Sequence, residues 1–353
     1  MGKVIIYPHV DPYYSAFYIY GLEQLFGKRN IYYSTKGFGV LPDDIWSVYM
    51  CFIIVDERGN KTRYVIDSND YNTVKEGMYE WCDVYGHCNA NYELYPQEKY
   101  TKLVSLCPSF GIKCWGVMET GYRLITNLCK LHFVAKPSVK RLVGRYVKQL
   151  LREPYSAYSN SQSIRDNYVY FCSTLWYNNA AVNNDDGLNH IRTLFIDACR
   201  RIPYVSFEGG LVPSRRSRKQ KHKFSHYLTR SVSHKEYLRK IKESELVFNT
   251  PAFWNCHGWK LGEYMALGKC VISTPLSNSL PSPIIGGEFM SLNEYLCIVE
   301  PNVNDISKSV VFIISHPEYQ RILSSNLIMF WKEYGTPIAS LRLLGIHRDG
   351  FNN

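Results

Sequence analysis

The residues best suited to chemistry crowd into one stretch, Val247 to Pro275, which carries Asn255, His257, Gly258, Trp259, Lys260 and Glu263. The pattern predicts a strand ending at Asn249, a polar loop to Gly258, a short helix opening near Trp259 and closed by Gly268, and a return strand over Lys269 to Ser273. A helix that opens at the mouth of a sheet presents unpaired N–H groups and the positive end of its dipole, which together attract a phosphate. His257 and Lys260 add donors beside them. Glu263 lies one turn in. Its carboxylate only accepts hydrogen bonds, so it suits two neighbouring hydroxyls of a ribose better than a phosphate. A plain amphipathic helix packed on a sheet accounts for Leu261, Met265 and Leu267, with Glu263 as a solvated first-turn acid. It does not account for Asn-x-His-Gly-x-Lys at the helix mouth.

Eight other residues are candidates. His9 and Asp11 follow the first predicted strand, where an acceptor could be bound or deprotonated by a general base, although a loop histidine is as readily a surface residue. His87 closes the strand-like Asp83-Val-Tyr-Gly-His87, and Glu288 follows Gly286-Gly287 in a loop, either touching a sugar or serving as an ordinary loop acid. Arg215, Arg216, Arg218 and Lys219 open a basic segment that could meet a diphosphate, a lipid-diphosphate or an anionic membrane face, or be a solvated loop.

These residues need elements to hold them. Lys3 to Tyr7, a helix over Ser15 to Phe26 and Ile31 to Tyr33 read as the β-α-β start of an open α/β sheet, followed by strands at 47–55, 63–66, 83–85 and 103–107. A basic helix is predicted over Ser138 to Arg152, and Ser156 to Ser163 is the most linker-like segment. Beyond it, strands at 168–172, 204–207, 246–249 and 270–273 alternate with helices at 187–201, 233–244 and 259–267, which predicts a parallel sheet. The expected division is therefore an amino-terminal domain over 1–155, a linker at 156–163, a second domain over 164–316, and carboxyl-terminal helices over 317–353 that pack back on the first domain.

Composition narrows the function classes. With 353 residues, 46% apolar and 20% charged, the chain has the make-up of a globular protein of about two domains. The net charge of +10 is local: of 41 basic and 31 acidic residues, 11 basic and one acidic lie between Pro213 and Lys242, leaving 30 of each elsewhere. No helix-turn-helix, zinc-finger or RNP motif accompanies that patch, which argues against nucleic acid. The eleven cysteines have no C-x-x-C pair and read as reduced thiols in a cytoplasmic protein, and no spacing suits zinc. Neither a G-x-G-x-x-G after a strand nor a P-loop is found, no stretch is long and apolar enough to span a membrane, and the first residues read as a strand rather than a signal peptide.

The 247–275 segment resembles the donor-binding motif of family-4-like glycosyltransferases (glycosyl transferases group 1) with the GT-B fold. In that family the pattern is Glu, seven residues, Glu, then Ala-hydrophobic-Ala-x-Gly-x-x-Val-Ile. This chain has Asn255, seven residues, then Glu263-Tyr-Met-Ala-Leu-Gly-Lys-Cys-Val-Ile272. The resemblance implies two Rossmann-like open parallel-sheet domains facing a cleft, with the acceptor on the first and a nucleotide-sugar on the second. Glu263 would hold the donor ribose and Gly258 and its neighbours would approach the diphosphate. His9, Asp11 and His87 would be catalytic, and Asn255 replaces the first Glu, which contacts the sugar. It further implies a hexosyltransferase acting on a glycan or lipid-linked acceptor in polysaccharide or lipopolysaccharide synthesis, cytoplasmic and peripheral to the inner face of the membrane; because the sequence holds no Asp-x-Asp motif, metal independence and no cofactor are expected. The alternative is a non-catalytic transferase-like or nucleic-acid-associated protein that uses the basic segment 213–242.

Overall fold

A computed structural model describes residues 2–39, 41, 48–131, 138–159, 163–176, 185–214, 217, 222–281, 284–285, 288–289 and 291–347. The chain divides into two units: one is Met1–Ala157 with Asn278–Pro281 and Lys332–Asn353, the other Tyr158–Ser277 with Ser282–Trp331. The division falls inside the expected linker. The carboxyl-terminal helices, expected as one group, are split between the units.

In the first unit, β1 (Lys3–Ile6), α1 (Pro12–Phe26) and β2 (Ile31–Tyr33) form the expected parallel β-α-β. β3 (Tyr49–Val55) and β4 (Lys61–Asp67) follow, then α2 (Glu76–Trp81), β5 (Val84–His87) and β6 (Leu103–Ser105), in the sheet order β2-β1-β3-β4-β5-β6. This sheet departs from the all-parallel expectation at β3, which runs antiparallel to both β1 and β4. The cause is local. Asp56 Oδ1 accepts from the amides of Arg58 and Asn60, which closes a tight turn, and a tight turn joins only antiparallel strands. Two further helices, α3 (Val117–Leu131) and α4 (Val139–Leu150), complete the amino-terminal part. α3 had no counterpart among the predicted elements.

The second unit contains β7 (Tyr168–Leu175), α5 (Asp185–Arg201), β8 (Ser206–Pro213), α6 (His234–Glu243), β9 (Leu246–Asn249), α7 (Trp259–Ala266) and β10 (Cys270–Ser273). The short pair β11 (Ile284–Ile285) and β12 (Glu288–Phe289), then β13 (Cys297–Ile298), α8 (Val303–Ser315) and α9 (Pro317–Phe330) follow. β7 pairs with β8, and β10 with β9 and β13, all in parallel, as expected of an α/β unit. β8 is longer than its predicted counterpart because Gly209 and Gly210, at φ 116° and 146°, carry the strand where a side chain could not go. A Cβ at Gly209 would stand 1.9 Å from the Phe171 carbonyl oxygen. The core lies between the strands and their covering helices, with Phe195 of α5 stacked on Phe248 of β9 at 4.3 Å. The last helix, α10 (Pro337–Leu343), belongs to the first unit and packs on α1.

Candidate functional site

β9 delivers its last residue, Asn249, into the interior, where Nδ2 donates to Ser273 Oγ at 2.9 Å and ties the ends of β9 and β10 together. The loop that follows is bent tightly. Trp254 and Asn255 both take left-handed backbone angles, φ 58° and 60°, which asparagine tolerates and tryptophan adopts only when its surroundings impose it. The Ala252 amide donates to the Cys256 carbonyl at 2.8 Å, closing the loop below an exposed Asn255. His257 is then buried, Gly258 takes the N-cap position of α7 without a side-chain cap, and Trp259 and Lys260 are half-buried in the first turn. The helix ends as expected at Gly268, at φ 59°.

Glu263 is not a solvated acid. It is 3% exposed, and its Oε1 accepts from the Tyr158 hydroxyl at 3.4 Å and lies 3.3 Å from His234 Nε2. Tyr158 and His234 also meet, at 3.3 Å, so three polar side chains from separate parts of the unit form one buried triangle. A carboxylate held in this way has a fixed direction, which a binding site for hydroxyls requires.

Lys260 lies one turn before Glu263 on the same face of α7. Its Nζ donates to the Cys172 carbonyl at the end of β7 and stands 5.6 Å from the centre of the Phe171 ring. Burial, with Arg192 adding repulsion, pushes this ammonium down to about 7. Arg192, on α5, is 4% exposed and donates through Nη1 to the Thr174 carbonyl at 2.9 Å, while its Nε has no hydrogen-bond partner among the described residues. Burial lowers its pKa to about 10. Among the described residues β7 has a strand ladder only with β8, and carbonyls toward its end are taken up by these two cations. Arg192, buried, and Lys260, half-buried, repel each other, and Glu263 one turn on offsets that repulsion only in part, so the two cations form a site for an anion.

No family model matches this chain, and no curated protein matches its sequence. Among solved structures it is similar to a glycosyltransferase from Rickettsia africae, at 11% identity and TM-score 0.40 over 73% of this chain and 61% of that one. It is similar to the same degree to the UDP-GlcNAc 2-epimerase of Neisseria meningitidis bound to UDP-GlcNAc, at 14% identity and TM-score 0.40 over 76% and 62%. The Anabaena HepE protein in complex with UDP gives 11% identity and TM-score 0.38 over 76% and 79%. These neighbours include a transferase and an epimerase, and likeness of this degree selects no reaction.

The remaining candidates are distributed as follows. Arg215, Arg216, Arg218 and Lys219 lie outside the described residues, as does the side chain of Glu288, whose backbone is in β12. The described part of the basic segment is less open than its composition suggests. Arg239 pairs with Glu236 and Glu243, and Lys240 with Glu208, acids that the 213–242 window mostly leaves out. In the first unit, Asp11 is fully buried as the N-cap of α1. Its Oδ1 accepts from the Tyr13 amide at 2.9 Å and its Oδ2 lies 3.2 Å from Arg145 Nε. His87 is also fully buried: Nδ1 accepts from the Asn89 amide at 3.2 Å, and Nε2 is 3.8 Å from Asp67, which accepts from the Tyr85 hydroxyl at 2.6 Å. Of the three, His9 alone is partly open to solvent. Burial, with Arg141 adding, pushes its imidazole down to about 4, so it is neutral at neutral pH.

Tyr158, His234 and Arg192 were not among the sequence candidates. A signal existed for Arg192. It is spaced three, four and seven residues from Asn189, Ile196 and Cys199, all buried, which puts a cation on the inward face of an amphipathic helix.

Proposed function

We propose that the protein is a GT-B glycosyltransferase that moves a hexose from a nucleotide-sugar to a hydroxyl of a glycan or lipid-linked acceptor, in the building of cell-surface polysaccharide or lipopolysaccharide at the inner face of the membrane. The observation that carries this reading is the pairing of two functions on one turn of α7. Glu263, aimed by Tyr158 and His234, suits the ribose hydroxyls, and Lys260 with Arg192 suits the diphosphate. In glycosyl transfer the bond from the anomeric carbon to the diphosphate oxygen breaks while the acceptor oxygen bonds to that carbon. Negative charge therefore grows on the leaving diphosphate, and cations already fixed in a poorly solvated site stabilise that transition state more than the ground state.

In this reading the second unit binds the donor and the first the acceptor. His9, already neutral, takes the acceptor proton. Asp11 and His87 act as positioning residues: Asp11 starts α1 two residues after His9, and His87 anchors the end of β5. Lys260 and Arg192 meet the charge that a divalent ion meets elsewhere, so transfer runs without metal or cofactor.

The test is a thermal-shift screen against UDP, GDP and their sugar conjugates, followed by a transfer assay in EDTA with the conjugate that binds. A shift with one nucleotide, lost in Lys260→Ala, and transfer undiminished by EDTA are expected. No shift with any of them, together with salt-dependent binding to oligonucleotides, overturns the reading.

A further inference from the structure

α3 is built inside out. Its buried positions are Thr120, Asn127 and Leu131, two of them polar. Its solvent face carries Met118, Tyr122, Ile125 and Cys129, spaced four, three and four residues apart so that they form one stripe along the helix. Met118 is 89% exposed, and Tyr122 and Ile125 are 64% exposed each. A polar seam with α4 explains how this arrangement holds. Asn127 Nδ2 donates to the Tyr146 hydroxyl at 2.8 Å, and Gln149 Nε2 donates to Thr120 Oγ1 at 2.8 Å. With the inward face satisfied by hydrogen bonds, the apolar face is left in water. α4 repeats the pattern more weakly, with Val139 and Val147 exposed on it and Leu151 exposed just beyond its end.

Scattered exposed apolar residues need no explanation, but a stripe along about 17 Å of helix does. The charges around it indicate what covers it. α4 carries Lys140, Arg141, Arg145 and Lys148 and no acid, and Lys140, Arg141 and Lys148 are exposed. On α3 the one acid, Glu119, is engaged by Lys28 at 2.9 Å and by Arg123 at 3.4 Å. A second copy set face to face would bring these cations against each other, whereas an anionic surface with an apolar interior answers both features.

We propose that the α3–α4 pair is a membrane-docking surface that seats Met118, Tyr122 and Ile125 among the acyl chains of an anionic bilayer, with Lys140, Arg141 and Lys148 of α4 at the headgroups. This surface rests on the two helices alone and is independent of the transferase reading, since docking needs no nucleotide. Each cation near such a surface adds to the attraction, and the apolar stripe adds to it again as it leaves water.

The test uses the full chain and vesicles of phosphatidylcholine, with and without about one-third phosphatidylglycerol. Sedimentation should carry the protein down with the anionic vesicles, and Met118→Asp/Ile125→Asp should reduce the bound fraction at least about tenfold. Both side chains point into water, so this variant should melt with the wild type; Ile125→Asp alone serves if the double variant does not. Cys129 is the exposed cysteine among the described residues, and an environment-sensitive dye attached there should shift to the blue with anionic vesicles. Three results overturn the proposal: no binding to anionic vesicles, binding that Lys140→Glu/Lys148→Glu abolishes but the aspartate variant does not, or a dimer in solution that Met118→Asp dissociates. The last would assign the stripe to a second copy of the chain.

Discussion

Arg192 and Lys260 take alternate carbonyls at one end of β7: Arg192 holds Thr174 at 2.9 Å and Lys260 holds Cys172. Neither cation is in an ion pair among the described residues, and Glu263 offsets their mutual repulsion only in part, so an arriving diphosphate relieves what remains. Removing either should weaken diphosphate binding by about 1.5–3 kcal/mol, or about 10- to 150-fold in Kd. Lys260→Met is the more informative change, because it should weaken UDP or GDP binding in calorimetry while leaving the empty protein at least as stable as the wild type. Loss of binding together with a lower melting temperature would make Lys260 a structural residue.

The depressed pKa of Lys260 predicts proton uptake. In the empty site the ammonium titrates near 7, and a diphosphate beside it returns it toward its ordinary range. Binding at pH 7–8 should therefore take up between zero and one proton, read from the dependence of the calorimetric heat on the ionisation enthalpy of the buffer. Lys260→Arg keeps the charge and should abolish the uptake. The sign for stability follows from the same shift. The unfolded lysine holds its proton to a higher pH than the folded one, so the contribution of this group to stability rises between about pH 7 and 10. Lys260→Met should flatten that rise.

The parts of the site that were legible in the sequence are those contiguous along it. Strand, loop, helix and return strand over 247–273 can be read in order, because the apolar periodicity and the closing glycine are local signals. Tyr158, His234 and Arg192 reach the site from three distant segments, and nothing local marks a tyrosine in a linker as the partner of a glutamate 105 residues later. β3 departs from the expected parallel order for a different reason. The turn at Glu57 to Asn60 was visible, and its shortness alone required an antiparallel pair, yet the surrounding β-α-β pattern suggested parallel strands throughout. In α3 the spacing of Met118, Tyr122, Ile125 and Cys129 is itself a helical signal, but such spacing does not reveal that this stripe faces water while Thr120 and Asn127 face inward.

The direction that Tyr158 and His234 give to Glu263 makes the carboxylate a detector of ribose hydroxyls. Wild type should prefer a nucleoside diphosphate to its 2′,3′-dideoxy form by about 1.5–3 kcal/mol, the range for hydrogen bonds to a charged group. Glu263→Gln should lose most of that preference while keeping a response of binding to Lys260→Met, since both cations stay in place and lose only the support of the Glu263 charge. Tyr158→Phe should lose part of it. A preference that survives Glu263→Gln would mean the hydroxyls are read elsewhere.

Asp11 gives a prediction about stability whose sign is opposite to that of most acids. Burial raises its carboxyl group from 3.8 to about 6, outweighing the pull of Arg145 and of the Tyr13 and Tyr14 amides. The folded chain therefore holds this proton more tightly than the unfolded chain does. Its contribution to stability is fully present below about pH 4, declines as the pH rises through 6, and is level above that. Asp11→Asn keeps an oxygen for the Tyr13 amide but removes the titration, so the wild type should lose stability relative to this variant between about pH 4 and 6. Asp11→Ala removes the cap as well and should cost about 1 kcal/mol relative to Asp11→Asn at every pH. Denaturant unfolding across this range separates the two effects. Wild-type and Asp11→Asn curves that stay parallel would show that Arg145 holds the carboxylate charged throughout.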